Sequence, residues 1–141
     1  MIIKHLGSKF EYERERKSEL YSAYKRLLDE MQQIGCDLLY KRLVKMPCSR
    51  YWVSEERAAI VVSRIFKGDM LLFMQPLRRR MFFAIAERAY MLLQYDNRLT
   101  VRRAVFKAVR ERAEEFYLTE GTARVMICRI KQEERRRRMR K

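Results

Sequence analysis

Fifteen residues of this chain occur twice in altered form. Setting residues 51–65 against 116–130, an offset of 65, places Tyr51-Trp52-Val53-Ser54-Glu55 over Phe116-Tyr117-Leu118-Thr119-Glu120. Of the 15 aligned pairs, 4 are identical and 7 exchange like for like, with Ala58, Arg64 and Ile65 falling on Ala123, Arg129 and Ile130. A repeat of this kind implies two supersecondary units that bury their apolar faces together, with a pseudo-two-fold pair as the expected arrangement. The copies are not perfect, since Pro47 of the first is matched by Arg112 in the second.

The repeated units read as helical. Only 4 glycines and 2 prolines interrupt 141 residues, too few for the frequent turns of a sandwich or barrel. Apolar spacing predicts a first helix over Phe10–Ile34, stopped at Gly35, and a second over Asp37–Lys45 ahead of Pro47. Ser54 caps a third to Phe66, closed by Gly68, and Pro76 opens a fourth to Tyr95. Thr100 caps a fifth to Arg112, and Thr119 a sixth beginning at Glu120. The expectation is an all-α protein of about six helices in two pseudo-repeats, near 20–68 and 77–130. They would form one helical bundle domain over 1–130, followed by a basic C-terminal tail at 131–141.

The doubled pattern of aromatic pair, aliphatic residue, Ser or Thr cap, acidic residue and Ala-containing helix resembles small uncharacterised two-repeat basic proteins of bacterial phages and mobile elements. The motifs that carry it are Pro47 to Ile65, Gln75-Pro76-Leu77-Arg78-Arg79 and Glu115 to Ile130, roughly a third of the chain. The resemblance implies no activity and supplies no site residues.

Catalytic patterns are scarce. His5 is the single histidine and falls at an N-terminus expected to fray, which disfavours the usual nucleophile–histidine arrangements, and the glycines match no phosphate-binding loop. Cys36, Cys48 and Cys128 lack metal-ligand spacing and read as buried, reduced thiols. Glu15-Arg16-Lys17 has a nuclease-like spacing but no second placed carboxylate, so it reads as a solvated helix face. No enzyme, cofactor or metal is expected. The longest apolar stretches, Ala58–Val62 and Met81–Ala86, fall far below the roughly 18 to 20 residues of a membrane span. With no signal peptide read at the N-terminus, a cytoplasmic protein without a membrane partner is expected.

Charge is the remaining lead. Lys and Arg number 33 against 18 acidic residues, a net +15, and 23 of the cations are arginine, whose forked donors match phosphate oxygens. The repeat register sets Arg42 on Lys107, Lys45 on Arg110 and Arg64 on Arg129, and Arg103, Lys107 and Arg110 form a stripe along the fifth helix. Residues 131–141 add seven cations and two anions, among them Arg135, Arg136, Arg137 and Arg138, with i, i+4 pairing of Glu133 with Arg137 and Glu134 with Arg138 expected if the segment is helical. Tyr51, Trp52, Phe116 and Tyr117 suit either base stacking or, as the stronger reading, core anchoring ahead of the caps. The functional expectation is a non-catalytic nucleic-acid-binding accessory protein, DNA before RNA, that uses Arg42, Lys45, Arg103, Lys107, Arg110 and Arg135 to Arg138 on the phosphate backbone. The alternative is a protein-interaction or structural component of a phage or mobile element that forms a homo-oligomer through apolar helix faces.

Overall fold

The computed structural model describes residues 2–30 and 36–140, with side chains described over 12–30 and 38–140. It is all-α: α1 (Ile2–Glu30), α2 (Cys36–Lys45), α3 (Glu55–Phe66), α4 (Pro76–Tyr95), α5 (Val101–Val109) and α6 (Glu120–Met139). The apolar spacing that predicts a start at Phe10 underestimates α1, which begins at Ile2. The expected contributions of Met31 and Ile34 and the stop at Gly35 lie outside the described residues, as do the side chains of His5 and Cys36.

Helix starts follow local chemistry. The side chains of Ser54, Thr100 and Thr119 accept hydrogen bonds from the backbone N–H groups of Arg57, Arg103 and Thr122, each three residues on. Each bond satisfies one of the orphan donors at a helix N-terminus. Gln75 does the same for Arg78 ahead of Pro76, a cap the sequence reading did not assign. The fifth helix ends at Val109 rather than Arg112. There the chain is drawn into an isolated antiparallel bridge, with Cys48 donating to the Ala113 carbonyl (3.0 Å) and Ala113 to that of Cys48 (2.9 Å).

The chain forms two compact units, one of Met1–Met46 with Glu114–Lys141 and one of Pro47–Ala113. Neither coincides with one of the expected pseudo-repeats near 20–68 and 77–130. In unit 1, α1, α2 and α6 pack pairwise; in unit 2, α4, α5 and α3 do so. The boundaries keep one register: α2 and α5 start at Cys36 and Val101, α3 and α6 at Glu55 and Glu120, and α1 and α4 end at Glu30 and Tyr95, each pair 65 apart. In that register each unit takes its first two helices from one half of the chain and its third from the other.

Backbone bonds keep the register too. In unit 2 the Tyr51 N–H donates to the Val109 carbonyl near the end of α5 (2.9 Å), and in unit 1 the Phe116 N–H donates to the Val44 carbonyl near the end of α2 (3.2 Å). Each satisfies a helix-end acceptor that has no partner within its own helix.

The unit 1 core comprises Leu20, Tyr24, Leu27, Leu39, Leu43 and Val44 with Phe116, Ala123 and Ile127, and that of unit 2 Tyr51, Val61, Val62, Phe82, Ile85, Val105 and Val109. Tyr51, Trp52 and Phe116 are therefore core anchors, with no face left open for a base. Cys48 is buried and its thiol donates to the Arg50 carbonyl (3.1 Å). Cys128 is free but exposed, against expectation, because it falls outside the Ala123, Met126, Ile127 stripe that α6 turns inward.

Candidate nucleic-acid interface

The second unit presents its cations on α5. Ala104, Val105, Ala108 and Val109 bury one face of this helix, which leaves Arg102, Arg103, Lys107 and Arg110 on the other, exposed. Their electrostatic situations differ. Arg110 meets the Glu55 carboxylate through two nitrogens (3.0 and 3.5 Å), and Arg50 lies 4.0 Å from the same carboxylate. Arg102 bonds Glu56 at 2.6 Å while its guanidinium sits over the Phe106 ring. The two acidic residues that open α3 thus hold two of these four cations, Arg102 within α5 and Arg110 at its C-cap. Arg103 and Lys107 make no ion pair among the described residues, and as i, i+4 neighbours they lie about 6 Å apart on the helix surface.

In the first unit the candidates occupy two ends. Arg42 and Lys45 are exposed in the last turn of α2, where the helix dipole favours positive charge. Residues 131–139 are no loose tail, since they continue α6 to Met139. Lys131 donates to the Tyr24 hydroxyl (2.6 Å) with its ammonium over that ring, and the Tyr21 hydroxyl donates to Glu134 (2.8 Å). These contacts fasten the helix to α1. Glu134 is thereby engaged by Tyr21, and the expected pairs of Glu133 with Arg137 and Glu134 with Arg138 do not close. The Tyr21 hydroxyl is pushed above its ordinary pKa chiefly by this hydrogen bond, then by burial and by the negative charge of Glu134.

Arg135, Arg136, Arg137 and Arg138 are exposed and make no ion pair among the described residues. They sit far from Arg42 and Lys45 within the unit. Arg124 lies over the Tyr40 ring of α2, and Arg135 follows it by eleven residues, about 16 Å of helix axis. Lys45 lies towards the other end, where Phe116 meets Val44.

The nine residues predicted from sequence are divided between the two units. Arg42, Lys45 and Arg135 to Arg138 belong to unit 1 and Arg103, Lys107 and Arg110 to unit 2. Arg110 is partly neutralised by a glutamate 55 residues away in the chain, which no local pattern could reveal. Sequence reasoning passed over another feature, a group of arginines beside the Met70–Met74 segment. Arg57, Arg64 and Arg78 line an open cavity there with Leu72 and Phe73.

Among the described residues no three His, Cys, Asp or Glu side chains approach closely enough to hold a metal ion, and no helix is long and apolar enough to cross a membrane. No protein family matches the chain, and no curated protein or solved structure is similar to it.

Proposed function

We propose that the protein is a non-catalytic nucleic-acid-binding protein that holds duplex DNA by its phosphate backbone, built from two copies of one 65-residue unit. The observation that carries this reading is the set of exposed cations without an acidic partner among the described residues, Arg103 and Lys107 on α5 and Arg135 to Arg138 on α6, in a chain of net charge +15. Phosphate contacts of this type give affinity without base reading. The motif resemblance adds a phage or mobile-element setting to the proposal.

Binding to a duplex across a salt series tests it. Each neutralised phosphate contributes about 0.9 to the slope of log K against log salt, so replacing Arg135 to Arg138 with Gln should flatten the slope by up to about 3.6, and replacing Arg103 and Lys107 by up to about 1.8. The loss should be the same for unrelated duplex sequences. An unchanged slope in both variants overturns the reading. The protein-interaction alternative draws on the exposed apolar residues Met70, Leu72 and Phe73. Tight self-association that is indifferent to salt, with no binding to the duplex, would establish it instead.

A further inference from the structure

The segment that joins α3 to α4 combines features that ordinary loops avoid. Leu71 is buried and adopts a left-handed backbone (φ 53°), a conformation uncommon for residues other than glycine. Its N–H is held by the Asp69 carboxylate (2.8 Å), and the neighbouring Met70 carbonyl accepts from Arg79 (2.9 Å). With Leu71 fixed inward, the next two side chains project outward, Leu72 73% and Phe73 106% exposed. These two border a cavity of about 460 Å³, within the usual range for small-ligand sites, whose rim carries Arg57, Arg64, Arg78 and the amide of Gln75. All three arginines are exposed and make no ion pair among the described residues. Asp69, the one carboxylate at the rim, is engaged by the backbone of its own loop.

We infer that this cavity is a site for an unpaired nucleotide of a nucleic-acid strand, with the phosphate on the arginines and the base against Phe73. The inference rests on the nucleic-acid reading above and names the part of the partner that this site takes. Guanidinium forks match phosphate oxygens, and an exposed aromatic ring beside them offers a stacking surface for any base. A nucleotide carries both groups a few ångströms apart. Paired bases inside a duplex present no free face, so the ligand is a nucleotide at a single-stranded end, gap or loop. An anionic bilayer would also meet apolar and basic groups, but it is a flat partner and would leave the cation-lined concavity unfilled.

The test compares the full chain with Phe73→Ala and with the double variant Arg57→Gln/Arg64→Gln, on a blunt duplex, on the same duplex with a single-stranded extension, and on a deoxynucleoside monophosphate. Since Phe73 touches little of the protein, its loss should leave the fold unchanged. Phe73→Ala should weaken binding to the extended duplex about tenfold, as expected for one lost base-stacking contact, and leave the blunt duplex within about twofold. The double variant should weaken both, and the extended form more. Equal affinities of wild type and Phe73→Ala for the extended duplex overturn the site while leaving duplex binding intact. Absence of binding by wild type to either duplex overturns the nucleic-acid reading itself. Monophosphate binding as tight as that of the strand reassigns the cavity to a free nucleotide. Flotation with phosphatidylserine vesicles that Phe73→Ala abolishes, without an effect on the extended duplex, reassigns it to lipid.

Discussion

Residues 66–74 and 131–139 stand 65 positions apart, at the ends of the two third helices, yet one segment leaves the helix and the other stays in it. After Phe66 the chain turns at Gly68 (φ 102°), with the Gly68 N–H bonded to the Ile65 carbonyl and the Asp69 N–H to that of Arg64, the paired bonds of a Schellman stop. The counterpart of Gly68 is Glu133, which permits the helix to continue. What the two segments have to rest on also differs. In unit 1, Tyr21 and Tyr24 of α1 offer hydroxyls to Glu134 and Lys131. In unit 2 the corresponding positions on α4 are Ala86 and Ala89, buried and without a polar group to offer. The two three-helix units thus end differently, one at a glycine stop and the other on a helix held by two tyrosines. One presents an apolar loop beside arginines, the other an arginine-rich helix.

The two cores respond most strongly to a test of whether the units pack separately. Leu20 of α1 and Ile85 of α4 lie 65 positions apart, each 0% exposed. Leu20→Ala and Ile85→Ala should each cost about 2–5 kcal/mol through lost burial and an incompletely filled cavity. Hydrogen exchange should lose protection mainly in α1, α2 and α6 for the first and in α3, α4 and α5 for the second, as separately packed units require. Equal loss over all six helices in both variants would show a single cooperative core and defeat the division into two.

Much of this fold is legible in the residues themselves because helix formation reports locally. Ser54, Thr100 and Thr119 announce their helices through side-chain oxygens three residues from the donors they satisfy, and Gly68 announces a stop through its freedom to adopt positive φ. The 65-residue offset of Tyr51 and Phe116 is visible before any coordinate, and several helix boundaries share it. The exchange of third helices is not visible in the sequence, since the apolar stripe of α3 says that a face is buried without saying which helix covers it. The site was legible only as charge. Exposure of Arg103 and Lys107 follows from the α5 periodicity, whereas the capture of Arg110 by Glu55 depends on how α3 and α5 meet. The anchoring of α6 is likewise hidden, because Tyr24 and Lys131 are 107 residues apart.

A gentler change sharpens the role of the glycine. A Cβ at residue 68 would meet nothing within 4 Å, so Gly68→Ala introduces no clash and tests backbone conformation alone. With φ at 102°, alanine should destabilise the protein by about 1 kcal/mol, measured by chemical denaturation. A stabilised variant with greater helicity would show that α3 runs on as α6 does once the glycine is removed, and that unit 2 needs no tyrosines to support it.

The smallest expected effect concerns those tyrosines. Tyr21 holds its proton more tightly in the folded protein than its ordinary value of 10.0, because the hydroxyl donates to Glu134 and ionisation would place two negative charges side by side. A group whose pKa is raised by folding contributes stability that is fully present below the unfolded value and is lost as pH rises through the folded one. The hydrogen bond should therefore support unit 1 at neutral pH and begin to fail above about pH 10. Tyr21→Phe removes the bond while keeping the ring, and should cost below about 1 kcal/mol at pH 7, since the pair is only partly buried. The difference between wild type and variant should then shrink as the pH is raised beyond 10, whereas Ala86→Ser, which adds a hydroxyl at the equivalent position of unit 2, should introduce no such pH dependence. No difference between wild type and Tyr21→Phe at any pH would mean that the ring of Tyr21, stacked on Tyr24 and kept in the variant, fastens α6 rather than its hydroxyl.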